Sequence, residues 1–221
     1  HSSNNGAWAE ELIAPYKKEP SGGRLQEKNS KWLNDDYVKF IRYGESLIEK
    51  TGEGVLAYIN NHSFLDNPTF RGMRWHLLNS FDKIYVIDLH GNTAKSERAP
   101  DGTSDENVFD IKAGVSINLF IKTGKKKGLA EVRRIDLWGK RDEKYALLQT
   151  TGLYDRKLKV LKPSKPNYLL VDRDESMLMS YMNGLSVSDL FPVVANGMVT
   201  ARDAFTIHHE NQSVKETIDE F

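Results

Sequence analysis

Two apolar runs constrain the fold of this chain more than any other feature. The first is Val55–Ile59, and the second is Ile84–Leu89 with a single aspartate inside it. Apolar runs of this length without polar alternation are typical of strands that are covered on both faces. An amphipathic helix precedes the first run, because apolar residues recur at helical spacing from residue 35 onwards and Gly52 ends the pattern. The sequence therefore predicts a sheet with helices packed on it.

A second helix and a third strand extend this pattern. The helix begins at Asn67 or Thr69 and runs to Leu78, and a polar loop over 91–106 separates the second apolar run from a strand at Val115–Lys122. Helix, strand, helix, strand, long loop and strand is the order expected of an α/β fold with crossover helices.

The downstream elements are shorter. Ala130–Trp138 is predicted as an edge strand, Lys140–Gln149 as a helix and Tyr168–Val171 as a short strand, which follows a basic link containing two prolines at 157–166. This change in composition and element length suggests an approximate domain boundary near residue 155. The predicted segments are a polar connecting arm, an α/β region and a separate downstream segment, at 1–33, 34–154 and 155–221.

Composition removes several classes of function. Acidic and basic residues balance at 31 each, so the net charge indicates neither a nucleic-acid nor a membrane partner. The absence of cysteine excludes disulfide scaffolds, thiolate metal sites and cysteine nucleophiles. No apolar run approaches the roughly 20 residues of a membrane helix, and the N-terminal residues lack the apolar core of a signal peptide. A cytoplasmic protein without a membrane partner is the simplest interpretation.

Common catalytic motifs are missing. The sequence has no phosphate-binding loop of the P-loop type, no nucleophile elbow and no zinc-binding H-E-x-x-H pattern. The only G-x-G, at Gly52 and Gly54, precedes a strand instead of following one. His208, His209 and Glu210 are adjacent, but neighbouring side chains point apart on a helix or a strand, so no metal site is predicted.

The segment from Asn107 to Lys122 is the most informative remaining stretch. Phe109 stands just before a Lys-Ala-Gly bend that leads into the third strand, a position from which an aromatic ring can be presented to a flat ligand. The alternative is an ordinary core residue that plugs the loop. Asn60 and His62, at the carboxyl end of the first strand, either cap the next helix or line a cleft, since α/β sheets bind ligands beyond the carboxyl ends of their strands.

The order of these segments resembles one protein family. Asn34–Phe40, Gly54–Leu65, and Val108–Phe109 followed by Ala113–Ile117 are similar to the downstream half of an N6-adenine DNA methyltransferase, most of all the variety fused into single-polypeptide restriction-modification enzymes. The passages Tyr168–Asp174 and Ser186–Asp203 resemble the transition from the catalytic domain into the target-recognition region. The resemblance covers most of residues 34–205. It implies a Rossmann-like sheet at 34–154, in which the strand at 115–122 is antiparallel to its neighbours, and the start of a recognition region at 155–221.

The resemblance also implies ligands and roles. In that family the methyl donor is S-adenosylmethionine, and the target adenine is swung out of double-stranded DNA into a pocket. Phe109 matches the aromatic residue that stacks on the flipped base, and Asn60 and His62 would line the substrate cleft. Phe40 and Tyr37 match the helix that borders the adenine of the cofactor.

The departures from the family pattern are equally specific. The catalytic Asn/Asp-Pro-Pro-Tyr/Phe/Trp tetrapeptide and the glycine-bearing cofactor loop are absent from the sequence. In relatives, a polar arm like His1–Gly6 follows the tetrapeptide almost directly. We therefore expect the chain to begin just downstream of the catalytic residues, to be inactive alone and to need the upstream half of the same polypeptide.

Two further expectations concern surfaces. Lys125, Lys126, Lys127, Arg133 and Arg134 form basic groups that are either solvated surface or contacts to DNA phosphates. If the upstream strands are missing, the strand at 54–60 has an open edge, which favours self-association or pairing with a partner segment. A non-catalytic DNA-binding or assembly module is the alternative to a methyltransferase fragment.

Overall fold

The computed structural model describes residues 6–27, 30–125, 128–150, 152, 157–174, 176–177, 180–181, 183–193 and 207–219. The chain divides into two compact units, His1–Arg173 and Asp174–Phe221. The predicted boundary near residue 155 falls inside the first unit, because Lys159–Leu161 adds a strand to the main sheet.

The first unit contains four α-helices and five strands among its described residues. Its helices are α1 (Ala7–Ile13), α2 (Asp36–Thr51), α3 (Arg71–Ser80) and α4 (Arg141–Thr150). Its strands are β1 (Gly54–Asn61), β2 (Lys83–His90), β3 (Val115–Lys122), β4 (Glu131–Asp136) and β5 (Lys159–Leu161). In the second unit the described residues include α5 (Val187–Leu190) and α6 (Asn211–Asp219). None of the helices in the described part of the chain has the length and apolar character needed to cross a membrane.

The five strands form one sheet in the order β1-β3-β2-β4-β5. β3 is antiparallel to both of its neighbours, β2 and β4 are parallel, and β5 is antiparallel to β4. The α/β class and the antiparallel third strand are therefore confirmed. The prediction of an edge strand at 130–138 is wrong, because β4 lies between β2 and β5. Tyr168–Val171 was predicted as a strand but is irregular, although Tyr168 and Leu170 are buried.

One face of the sheet carries the main core. Val38 and Ile41 of α2 and Leu77 of α3 pack with Ile84 of β2 and Phe120 of β3, and all five side chains are fully buried. The helix read from the sequence is confirmed, but its expected apolar face is only partly buried, because Ile41 lies in the core whereas Phe40 and Leu47 are 57% and 44% exposed. A smaller cluster lies on the opposite face and includes Ile87, Leu89, Val108, Val115 and Leu137, with Leu148 of α4 against it.

The expectation that the first apolar run is covered on both faces is wrong. Along β1 the side chains alternate, and Val55 and Ile59 are 61% and 51% exposed. Successive residues of a strand point to opposite faces, so α2 covers one side of β1 while no described element covers the other. β1 is an edge strand within the described part of the sheet.

The segment predicted as a connecting arm instead packs into the first unit. Ile13, Tyr16 and Leu33 are fully buried. The Tyr16 hydroxyl donates to Glu45 Oε2 at 2.8 Å, and Arg71 forms ion pairs with Glu19 and with another carboxylate of the arm. These contacts bind the arm to α2 and α3.

Candidate functional site

Buried polar side chains form a hydrogen-bonded network at the carboxyl end of β1. Asn118 Nδ2 on β3 donates to Asn60 Oδ1 at 2.9 Å and to Ser116 Oγ at 2.9 Å. Asn60 is 6% exposed and also donates to the carbonyl of Asn61. Asn61 Oδ1 accepts from the backbone of Ser63 and caps the short 3-10 helix that follows. The capping role considered for this cluster therefore belongs to Asn61, whereas Asn60 joins β1 to β3.

His62 lies over the start of β3. Its backbone N–H donates to the carbonyl of Gly114 at 2.9 Å, and its Nδ1 is 3.0 Å from Asp88 Oδ1 at the end of β2. A Cβ at Gly114 would come within 2.3 Å of the imidazole, so only glycine leaves the ring this position. Asn92 Nδ2 lies 3.3 Å from His62 Nε2 on the other side. The structure thus brings His62 to the carboxyl end of the sheet.

A charged cluster surrounds His90, which ends β2 with a left-handed backbone (φ 51°). Its Nε2 lies 2.8 Å from Asp136 Oδ1 and its Nδ1 lies 2.9 Å from Glu97 Oε1. The indole of Trp138 stacks on the imidazole, with ring centroids 3.4 Å apart. Burial alone would lower the pKa of His90, but the hydrogen bonds to Asp136 and Glu97 outweigh it and raise the pKa to about 9. His90 is therefore an imidazolium at neutral pH.

Arg134 of β4 is the second basic residue of the charged cluster. Its Nη2 lies 2.6 Å from both Asp88 Oδ2 and Asp136 Oδ1, and Nη1 donates to the carbonyl of Leu170. Burial would raise the pKa of Asp88, yet the hydrogen bond from His62 and the charge of Arg134 hold that pKa well below its usual value. A cavity of about 110 Å³ adjoins this cluster.

These side chains include a donor set suited to a metal ion, because ligand atoms of His62, Asp88 and His90 lie within 4.8 Å of one another. Both nitrogens of His90 already face carboxylates, and the Arg134 guanidinium already neutralises Asp88. A second such set, at Glu45, Glu49 and His76, is likewise occupied by Arg42 and Tyr16. The candidate ligand atoms of both clusters thus already have hydrogen-bond or ion-pair partners within the chain.

Phe109 lies in an irregular loop over 105–114 and is 43% exposed, whereas the preceding Val108 is 2% exposed. The base of the loop is closed by Asn107. Its amide donates to the carbonyls of Gly91 and Ala113 at 2.9 and 2.7 Å, and its Oδ1 accepts from the backbone N–H of Phe109. This exposure does not fit the alternative of an ordinary core residue that plugs the loop.

The two aromatic residues expected to border a cofactor separate on α2. Phe40 is 57% exposed and lines an apolar cavity of about 460 Å³ between α1 and α2, together with Trp8 and Tyr43. Its ring centroid lies 6.5 Å from that of Tyr58 on β1. Tyr37 points inward with its ring 6.4 Å from that of Phe70, and burial raises the pKa of its hydroxyl well above the usual value.

The expected basic residues that the structure describes lie in different environments. Lys125 is exposed, and Lys126 and Lys127 lie outside the described residues. Arg133 is partly exposed and pairs with Glu131 beside it on β4. Arg134 is 5% exposed with its guanidinium held by two carboxylates, which does not fit the expected contact to a DNA phosphate.

Sequence reasoning missed several residues at this end of the sheet. His90, Glu97, Asp136 and Trp138 form the charged cluster, and Lys144 of α4 is 1% exposed. The available signal was the position of His90 and Asp136 at the ends of two predicted strands, where side chains of parallel neighbours meet.

Comparison with known proteins gives the fold. No protein-family model matches the sequence, and no curated protein does so either. Among solved structures, the chain is similar to the DrdV–DNA complex (20% identity over 100% of this chain and 22% of that chain, TM-score 0.67). It is also similar to the ATP-dependent Type ISP restriction-modification enzyme LlaBIII bound to DNA (22% identity, 81% of this chain and 12% of that chain, TM-score 0.67).

A nuclease-deletion mutant of the Type ISP restriction-modification enzyme LlaGI, in complex with a DNA substrate mimic, gives a TM-score of 0.73 at 20% identity, over 99% of this chain and 20% of that chain. The chain therefore spans about a fifth or less of these three proteins and shares the fold of one part of each.

Proposed function

We propose that this chain is the downstream part of a DNA methyltransferase that transfers a methyl group from S-adenosylmethionine to N6 of adenine, within a restriction-modification polypeptide. The proposal joins the residue motifs of the sequence to a fold found in restriction-modification enzymes bound to DNA. The catalytic tetrapeptide is not in this sequence. Transfer therefore requires a second segment that supplies it.

The observation that carries the proposal is the position of Phe109. Its ring is half exposed in a loop whose base is fixed by Asn107, and Gly114 at the end of that loop accepts from the backbone N–H of His62 at the carboxyl end of β1. The exocyclic amine of adenine cannot be reached inside a duplex, so an enzyme that methylates it must extrude the base and hold it. Stacking on an aromatic side chain contributes about 1–3 kcal/mol, which offsets part of the unstacking cost.

We assign the adenosine part of the cofactor to the cavity beside Phe40. Three aromatic side chains, Trp8, Phe40 and Tyr43, give the cavity an apolar lining, and Asp36 and Lys39 place one acidic and one basic group on its wall. Cofactor sites are commonly apolar clefts of this size with a few polar groups. When bound, S-adenosylmethionine supplies the methyl group on its sulfonium. The role of this chain is to hold the adenine ring against Phe40.

Isothermal titration calorimetry with S-adenosylmethionine tests the cofactor site in the chain combined with the upstream half of the catalytic domain. We expect saturable binding that Phe40→Ala weakens, because the substitution removes the stacking surface. Leu47→Ala is the matched control, since Leu47 is also exposed on α2 (44%) but does not line the cavity. Equal affinities in the two variants would contradict the assigned site.

A non-catalytic DNA-binding or assembly module is the second candidate. The exposed apolar side chains of β1 favour it, because an open strand with an apolar face is suited to assembly. This candidate predicts salt-dependent binding to duplex DNA with no heat of binding for S-adenosylmethionine, even beside the upstream half. The same titration therefore separates the two functions.

A further inference from the structure

Helix α4 presents three long side chains to the loop that carries Phe109. Arg141, Lys144 and Tyr145 stand at positions i, i+3 and i+4, which places them on one side of the helix. The loop at 105–114 contains neither helix nor strand, so its backbone groups need partners from elsewhere.

The three side chains take four consecutive carbonyl groups of that loop. Lys144 Nζ donates to the carbonyl of Glu106 at 2.7 Å, and Arg141 Nε donates to that of Asn107 at 2.8 Å. The Tyr145 hydroxyl donates to the carbonyl of Val108 at 2.5 Å, and Arg141 Nη2 donates to that of Phe109 at 3.2 Å. Each peptide unit from 106 to 109 is therefore fixed individually.

Contacts in the opposite direction bind the helix to the loop. Glu106 Oε2 accepts from the backbone N–H of Arg141 at 3.0 Å, so a carboxylate of the loop stands at the N-terminus of α4. Asp105 Oδ1 accepts from the backbone N–H of Gly139 at 2.8 Å and from Lys144 Nζ at 2.7 Å. Carboxylates of the loop thus accept from backbone N–H groups at and just before the start of α4, and side chains of α4 donate to backbone carbonyls of the loop.

Lys144 ties both to the sheet. Its ammonium has three donors, and the third goes to the carbonyl of Leu89 at 2.7 Å, near the end of β2. Asp105 makes a parallel link, since its Oδ2 accepts from the backbone N–H of Gly91. The loop conformation is therefore set relative to β2 by buried groups, while Phe109 stays exposed.

We infer that α4 fixes the orientation of Phe109. Its side chains Arg141, Lys144 and Tyr145, called the bracket below, are positioning residues for the stacking aromatic. This inference rests on the proposed function for its purpose, but the bracket itself is a property of the chain. Because four hydrogen bonds hold one short stretch, loss of a single donor should loosen the loop before it affects the sheet.

Hydrogen exchange in the full chain tests the bracket. The backbone amides of Glu106 and Phe109 donate to Gly139 and to Asn107 Oδ1, so their exchange reports opening of the loop. We expect Tyr145→Phe to speed their exchange about fivefold, the effect of one lost hydrogen bond, and Arg141→Gln to speed it at least as much. Amides of β1 and β3 should keep their rates.

Two control variants repeat the Tyr→Phe and Arg→Gln substitutions away from the loop. Tyr43→Phe also removes a hydroxyl from a half-exposed tyrosine, and Arg133→Gln also removes a surface guanidinium paired with a carboxylate. Both should leave the loop amides unchanged. Unchanged exchange in the two bracket variants, or equal acceleration across the whole sheet, would overturn the inference.

A 4-fluorophenylalanine at position 109 separates the bracket from the proposed function. We expect one narrow ¹⁹F resonance in the otherwise unaltered chain and a broadened one in Tyr145→Phe. Addition of adenosine should shift the resonance, and the shift should require a higher adenosine concentration in the variant. A ring that is held but does not respond to adenosine would support the bracket and count against stacking. A ring that responds equally in both proteins would support stacking and overturn the bracket.

Discussion

Lys144 and Asp105 form an ion pair that is closed to solvent: Nζ lies 2.7 Å from Oδ1, and the two side chains are 1% and 0% exposed. Burying two charges is costly unless every donor and acceptor is satisfied. Here the ammonium uses all three donors, and both carboxylate oxygens accept backbone hydrogen bonds. The pair connects α4, the Phe109 loop and the end of β2.

Removal of the Lys144 charge should therefore destabilise the folded chain strongly. We expect Lys144→Met to reduce the free energy of unfolding by about 3–5 kcal/mol, because Asp105 is left as an unpaired buried carboxylate. Urea denaturation followed by circular dichroism measures the loss. Lys140→Met, which changes an exposed lysine four residues earlier, should have little effect. Similar stability of the two variants would show that the pair does not stabilise the fold.

The stability of the chain should depend on pH through His90. Its folded pKa of about 9 lies above the ordinary value of 6.5, so the folded state binds the proton more tightly than the unfolded state. The stabilisation is complete below about pH 6.5 and disappears as pH rises through about 9, a loss of roughly 3 kcal/mol. Urea unfolding at intervals from pH 6 to 10 measures it.

His90→Gln is the control for this pH profile, because glutamine keeps a hydrogen-bond donor but does not titrate. The variant should be less stable at pH 6 and should show a flatter profile between pH 6.5 and 9.5. If the variant and the unaltered chain have parallel profiles, another group is responsible for the dependence.

The sequence predicted β1, β2 and β3 because their apolar character is visible without knowledge of distant residues, whereas it missed the short β5 and wrongly predicted a strand at Tyr168–Val171. For Phe109, the sequence left open an exposed ring and a core residue, and the side chain is partly exposed. Lys144 could not have been predicted as buried, because its partners Leu89, Asp105 and Glu106 are 38 to 55 residues away in sequence.

Arg133 and Arg134 illustrate the same limit. The sequence analysis grouped the two arginines, but adjacent residues on a strand point to opposite faces, so they lie in different environments. Which of the two turns inward depends on register, and β4 pairs with β2 so that Arg134 reaches Asp88. Local pattern does not contain that information.

Gly114 should be intolerant of a side chain. A Cβ there would meet the His62 ring at 2.3 Å, so Gly114→Ala must displace the imidazole from Asp88. We expect a changed histidine resonance in NMR spectra and a lower Tm. Gly23→Ala is the matched control, since a Cβ at Gly23 meets nothing within 4 Å. An unshifted His62 resonance in Gly114→Ala would show that the close packing is not maintained in solution.

The open side of β1 should promote association. We expect concentration-dependent self-association in sedimentation velocity, and Val55→Lys combined with Ile59→Lys should abolish it by placing charge on the exposed strand. Val160→Lys alters a comparably exposed residue on the other edge strand, β5, and should leave association unchanged. A monodisperse monomer at high concentration would exclude β1 as an association surface.

The most direct test of the central claim is the rate of tritiated methyl transfer from S-adenosylmethionine to adenine in DNA, measured for the chain combined with the upstream half of the catalytic domain. We predict that Phe109→Ala slows transfer by about 5- to 150-fold, the equivalent of the 1–3 kcal/mol of base stacking, whereas Phe109→Tyr keeps the ring and most of the rate. Equal rates for the alanine variant and the unaltered chain would contradict a role for Phe109 in holding the adenine.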